Sequence, residues 1–346
     1  MAEGPEIHSI LMDATVIKIF RSSIHIFLKS YQHFTFTSLL LCLPFSASIL
    51  LSQALVPSLS PLLLPIHFRL QSLFDSSGFM PSLHFFSPFN LKLSQAISSS
   101  VFTLPFNLSF FLLSRASAIQ SLKTNNTDCT SLSPCLVSFL SQYKKIFLTH
   151  VSNSFIILSI NSSGFFILLL VFHSIDACGF ISPNFFLFVF AAGVVIQSVV
   201  VAKAYITCNL ALIVAGMEIS CSGYLAVFNA CQLIRGRAST ALFLAFPVNL
   251  GLSALEALFQ MRVVRAFHLS DNKITCSIAL EGLLIAYLHS LLIVVDTIIT
   301  CMFYKCCKSG CVAYGDNGDH FRYELHLEDA NGRSANARAL QLPLMA

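Results

Sequence analysis

Apolar residues gather in six long blocks, at about 34–55, 96–114, 154–175, 184–203, 240–260 and 276–304. Each reaches the roughly 20 residues needed to cross a hydrocarbon core. The second is the most diluted, by Ser98, Ser99, Ser100, Pro105 and Asn107. The fourth does not stop at Lys203, since apolar character continues through Tyr205 to Met217. That length predicts one helix projecting into the cytosol or bending there; a seventh span is the alternative. The pattern predicts an all-α, polytopic helical membrane protein with about six transmembrane helices. The membrane domain covers 1–304, and a polar, disordered cytosolic tail covers 305–346.

Shorter amphipathic segments lead into the odd-numbered spans. Within 14–31, Ile17, Phe20, Ile24, Phe27, Leu28 and Tyr31 share one helical face, and Lys18, Ser22, His25 and Lys29 line the opposite one. Ser133 and Pro134 read as an N-cap and first-turn proline, followed by the apolar face Leu136, Leu140, Tyr143 and Phe147. The stretch 224–237 repeats the idea more loosely. Such helices lie in the membrane interface with basic residues on lipid phosphates. The chain therefore reads as three modules, each an amphipathic helix and a pair of spans. Between the first two spans, Pro57, Pro61, Pro65, Pro81 and Pro88 break an apolar connection that should rest partly on the membrane.

Composition agrees with lipid as the main solvent: 55% of residues are hydrophobic, 10% are charged, and mean hydropathy is +0.77. The net charge of +4 is too small and scattered for nucleic acid. Its distribution is more telling. With both termini cytosolic, fifteen Lys and Arg residues fall on the cytosolic side, Arg115, Lys123, Arg235 and Arg237 among them. Five fall on the other, Arg69, Lys92, Arg262, Arg265 and Lys273. The opening MAEGPEIHSI lacks the features of a secretory signal. The 12 cysteines form no zinc-type spacing and no disulfide framework.

Candidate chemistry is confined to a few positions. Glu281, His289 and Asp296 lie within about 80° on the last span, with Glu256 at a similar depth on the fifth. Intramembrane ionisable groups are costly and commonly face a bundle interior or watery cavity, so they mark a proton or cation path. The plain alternative is that the acids sit near span ends, reach headgroups, or pair with Arg262 and Arg265. Cys306 and Cys307, flanked by Lys305 and Lys308, are candidate S-palmitoylation sites. Asn125-Asn126-Thr127 fits a glycosylation sequon but falls on the cytosolic side of this topology. No catalytic residues, cofactor or metal ligands are expected, and the chain is expected not to be an enzyme.

The stretch from Ala204 through Glu218, Gly223 and the turn Ile234-Arg235-Gly236-Arg237 resembles an uncharacterised plant family of six-span integral membrane proteins. The ending Met302–Ser309 (MFYKCCKS) is similar to that family's close to its last span, and the match is best over 204–309. The resemblance implies a plant membrane protein and carries over no activity. The expected function is membrane organisation or an adaptor role, with the lipid bilayer, anionic headgroups and unidentified membrane proteins as partners. A channel or transporter using the polar stripe is the alternative. The expected location is a membrane, endomembrane or plasma membrane alike.

Overall fold

The structure is a computed structural model that describes residues 4–55, 60–76, 86–124, 132–177, 183–218, 221–269 and 276–313. The described elements are all helical: α1 (Gly4–Lys29), α2 (Tyr31–Thr37), α3 (Leu43–Leu55), α4 (Ser60–Ser76), α5 (Phe86–Phe106), α6 (Leu112–Thr124), α7 (Leu132–Ala177), α8 (Pro183–Met217), α9 (Tyr224–Ile234), α10 (Ala238–Phe259), α11 (Arg265–Leu269) and α12 (Cys276–Ala313). Single π-helical turns join α2 to α3, α5 to α6 and α10 to α11. Six helices are long and apolar enough to cross a membrane: Tyr31–Gln53, Asn90–Lys123, Phe139–Leu168, Ala191–Met217, Ala238–Phe267 and Cys276–Lys308. The all-α class and the number of crossing-competent helices match the expectation.

Two π turns have physical causes in the sequence. The first, Ser38–Cys42, lies just before Pro44, whose ring would clash with the carbonyl of Leu40 in a regular helix. A wider turn relieves that clash. The second, Asn107–Phe111, follows Pro105, and inside it the carbonyl of Leu108 accepts a hydrogen bond from the Tyr143 hydroxyl at 2.9 Å. One added residue rotates the helix beyond it by about 100°. That rotation turns Ser114, Arg115, Ala118 and Ile119 into the bundle, where all four are buried.

Contacts divide along the helix lengths. Leu112, Ile119, Ile146, Leu210, Ile213, Val214, Val294 and Ile298 form one dense core with the alanines of α9, Ala226 and Ala230. The other halves of α7, α8 and α12, and one side of α10, are apolar yet exposed, for example Leu158, Phe166, Val195, Ile196, Phe246 and Leu280. The stretch 204–217 is part of one unbroken 35-residue helix. Its end is packed in the core, with Cys208 and Leu210–Ala215 buried, as one long helix and not two.

The amphipathic segments divide as well. A turn at Ser30 separates α1 from α2, and α1 has three faces. Ile19, Ser23 and Ile26 pack inward, Ile17, Ile24 and Leu28 are exposed apolar groups, and Lys18, His25 and Lys29 form an exposed polar edge. α9 is likewise set off, by Gly223 at φ 61° and the turn Arg235–Arg237 with Gly236 at φ 83°. The segment after Ser133 differs. It is the start of the 46-residue α7, which runs on into the third apolar block without a break. Ser133 and Pro134 are thus inside the first turn, because α7 begins at Leu132. Two of the three modules therefore open with a separate helix.

Two compact units are present, Met1–Lys308 and Ser309–Ala346. The helix carried past position 304 reaches Ala313, so 305–313 is helical rather than disordered. The rest of the expected disordered tail, 314–346, and the Asn125 sequon lie outside the described residues. Ile213, fully buried, tests the core: Ile213→Ala should cost about 2–5 kcal/mol, read as an earlier thermal transition in detergent, whereas Ile196→Ala on the exposed half should shift it little.

Candidate functional site

Four levels of polar side chains climb α12, each about 10–12 Å from the next at 1.5 Å per residue. Glu281, at the first level, is exposed. His289, about two turns along, is buried: its Nδ1 lies 3.1 Å from the Ser46 hydroxyl and its Nε2 3.8 Å from Glu256 Oε1. Gln53 Nε2 donates to Glu256 Oε2 at 3.2 Å, and Gln260 Nε2 donates to Gln53 Oε1 at 3.0 Å. One step around α12, the hydroxyls of Ser290 and Ser38 meet at 2.7 Å. Glu256 therefore does not pair with Arg262 or Arg265; it faces α3 and α12.

Asp296 is closed differently. Its Oδ2 lies 3.2 Å from Arg115 Nη2, and these side chains are 16% and 3% exposed. Arg115 Nη1 donates to Asn209 Oδ1 at 3.3 Å, and the guanidinium sits 4.6 Å from the centroid of the Phe111 ring. Arg115 was expected in a cytosolic loop as a topology charge. The helix instead continues to Thr124, and the π turn swings Arg115 inward. Asp296 thus pairs with Arg115 and not with Arg262 or Arg265. Beside it a cavity of about 30 Å³ is lined by Tyr205, Asn209, Asn249, Asp296 and Thr300, among others. That is room for at least one water, and the cavity is not fully enclosed.

The last level is a clasp. The Tyr304 hydroxyl donates to Glu218 Oε1 at 2.8 Å, and Lys308 Nζ reaches the same oxygen at 3.2 Å. Lys308 also lies 3.2 Å from the Tyr304 hydroxyl. Arg237 Nη1 donates to the Cys307 carbonyl at 3.3 Å, and Lys305 Nζ to the Leu122 carbonyl at 3.4 Å. The Gly223 amide donates to Thr149 Oγ1 at 2.9 Å, with a φ that side-chain-bearing residues rarely adopt. Glu218 and Arg237, separated in sequence from Met302–Ser309, therefore converge on the end of α12, while Gly223 is held by α7. Of the two adjacent thiols, Cys307 is buried and Cys306 half-buried.

Sequence reasoning singled out Glu256, Glu281, His289 and Asp296 but not the partners Ser46, Gln53, Arg115 and Asn209. A signal for Arg115 was available: FFLLSRASAI flanks it with apolar residues on both sides, so a helix running through it must bury it or turn it to lipid.

Two measurements follow. Asp296→Ala strands a buried guanidinium and should cost about 3–5 kcal/mol, whereas Arg115→Leu with Asp296→Leu should recover most of that loss. Thermal unfolding in detergent reads both. Burial alone would raise the Glu218 carboxyl, but hydrogen bonds from Tyr304, Cys221 and Lys308, with the Lys308 charge, hold it below its ordinary value. A depressed carboxylate contributes stability above its unfolded pKa and loses it as pH falls through the folded one. The clasp's contribution should hold from pH 7 through the ordinary glutamate range and fade only below it, while Glu218→Gln removes that acid-side loss.

The chain matches, over residues 10–336, the family described as a domain of unknown function (DUF8558). No curated protein and no solved structure matches it. The match covers nearly the whole length, every level of the α12 stripe and the clasp included. The chain belongs to the DUF8558 family.

Proposed function

We propose that this is a non-enzymatic, multi-pass membrane protein, with both termini cytosolic, that organises or adapts other membrane components. The observation that carries the reading is the closure of the polar levels. His289 meets side chains from two other helices, and Asp296 meets Arg115 of a third, which itself bonds Asn209, as interhelical polar groups do when they lock a bundle. A proton or cation path needs the same groups facing continuous water. The exposed apolar halves of α7, α8 and α12, with one side of α10, support a lipid belt, since a water-soluble surface rarely carries contiguous apolar patches of this extent. The residues from Pro183 to Lys203 supply about 30 Å of helix, one hydrocarbon thickness. On that placement the dense core lies on the cytosolic side, and α1 and α9 flank it at the interface. The likeness of Glu218, Gly223, Arg235–Arg237 and Met302–Ser309 to plant six-span proteins supports a plant origin.

A channel or transporter is the second reading. In its favour, His289 and Asp296 share one face of α12, and a polar cavity adjoins Asp296. A reporter fused after Ala346 should stay unglycosylated, and the purified chain in proteoliposomes should pass no protons or cations above empty vesicles. A glycosylated reporter would overturn the topology. Flux lost in His289→Leu would overturn the organising role and establish the channel.

A further inference from the structure

We propose that the clasp end of α12 carries a binding site for a phosphorylated lipid headgroup bearing more than one negative charge. The inference rests on the membrane reading above and goes beyond it by naming a ligand class and its residues. Cations gather here from three separate parts of the chain. Lys305 donates to the carbonyl of Leu122, which brings it beside Lys123 at the end of α6. Arg237 donates to the Cys307 carbonyl, which holds the Arg235–Arg237 turn against the same helix end. Lys308 follows one turn after Tyr304, with its side chain 61% exposed. Lys123, Arg235 and Lys305 are exposed as well.

The Leu122 carbonyl leaves the Lys305 charge in place, and among the described residues Glu218 is the acid shown to contact Lys308. An ammonium has three donors, so the one bond of Lys305 to a carbonyl leaves donors directed elsewhere. A phosphodiester carries a single charge and matches one such cation. A headgroup with added phosphomonoesters matches several at once, and arginine meets phosphate oxygens in pairs.

α9 fixes the depth of this site. Its Ala226 and Ala230 are buried in the core, while Tyr224, Leu225 and Phe228 are exposed on one opposite face. The same helix runs directly into the Arg235–Arg237 turn. An apolar face followed by a basic turn sets the acyl boundary beside the headgroup level.

The full chain, reconstituted in nanodiscs, tests this with a labelled phosphatidylinositol bisphosphate against phosphatidylserine at equal total charge. The bisphosphate should be retained preferentially, and Lys123→Gln, Arg235→Gln and Lys305→Gln together should weaken retention roughly tenfold or more. Charge-keeping exchanges (Lys123→Arg, Arg235→Lys and Lys305→Arg) should restore it, which excludes misfolding as the cause. Lys18→Gln with Lys29→Gln on α1 should leave the preference intact. Equal retention of both lipids, or an unaffected triple variant, overturns the site. Full competition by soluble inositol trisphosphate at equal concentration assigns the site to a free phosphate ester and overturns the lipid. Carbonate extraction is scored separately: a chain that resists it yet shows no lipid preference loses this site and keeps the membrane reading.

Discussion

A polar side chain removed from water must be met by another polar group, and in lipid that partner has to come from a neighbouring helix. The arrangement of α12 follows from this requirement. Buried His289 recruits Ser46 from α3 and Glu256 from α10. Asp296 recruits Arg115 from α6, and Arg115 in turn takes Asn209 from α8 and the face of Phe111. Glu281 has no such burial and is exposed. The levels that are buried are the levels at which α12 is held, each by different helices. An ion pair of this kind fixes an arrangement more than it adds net stability, because desolvation offsets much of the attraction.

The same requirement bears on the departures from regular helix. A π turn frees backbone groups, so each must be either solvated or recaptured. At Leu108 the recapture is visible, through Tyr143 of α7. That bond joins the irregular turn to the helix that also contributes Thr149 to the Gly223 amide and Asn153 to the Cys208 carbonyl at 2.8 Å. α7 thereby touches its neighbours' backbone at a π turn, at the Gly223 turn and at one carbonyl within regular α8. Burial then changes along α7 and α8, from the dense half near Ile146 and Ile213 to the exposed apolar half near Phe166 and Ile196. One sequence with nearly uniform hydropathy serves two environments.

Much of this was legible because it depends on hydropathy and length. The six blocks became six crossing-competent helices, and Ser30 and Gly223 mark off α1 and α9 as the pattern requires. What depends on phase was not legible. The loop placement of Arg115 failed because the helix runs on through it to Thr124, and which way that face points depends on the π turn at 107–111. The partners of Glu256 and Asp296 were missed for the related reason that interhelical contacts join residues 181 and 203 positions apart. The single long helix α8 was legible, but what its end packs against was not, because apolar residues beyond a span look alike whether they meet lipid, cytosol or a protein core. The likeness in Glu218, Gly223 and Arg237 was visible in sequence, whereas their convergence on Tyr304, Thr149 and Cys307 required the fold.

The central claim is that the polar face of α12 is closed by protein and not by water. Single cysteines placed at 281, 289 and 296, in a background without native cysteines, test it most directly with a membrane-impermeant thiol reagent applied from either side of sealed vesicles. The closed bundle predicts 289 and 296 silent from both sides while the protein stays folded, whether or not 281 reacts. Labelling of all three positions, graded from one face of the membrane, would contradict it and open the stripe as an aqueous path.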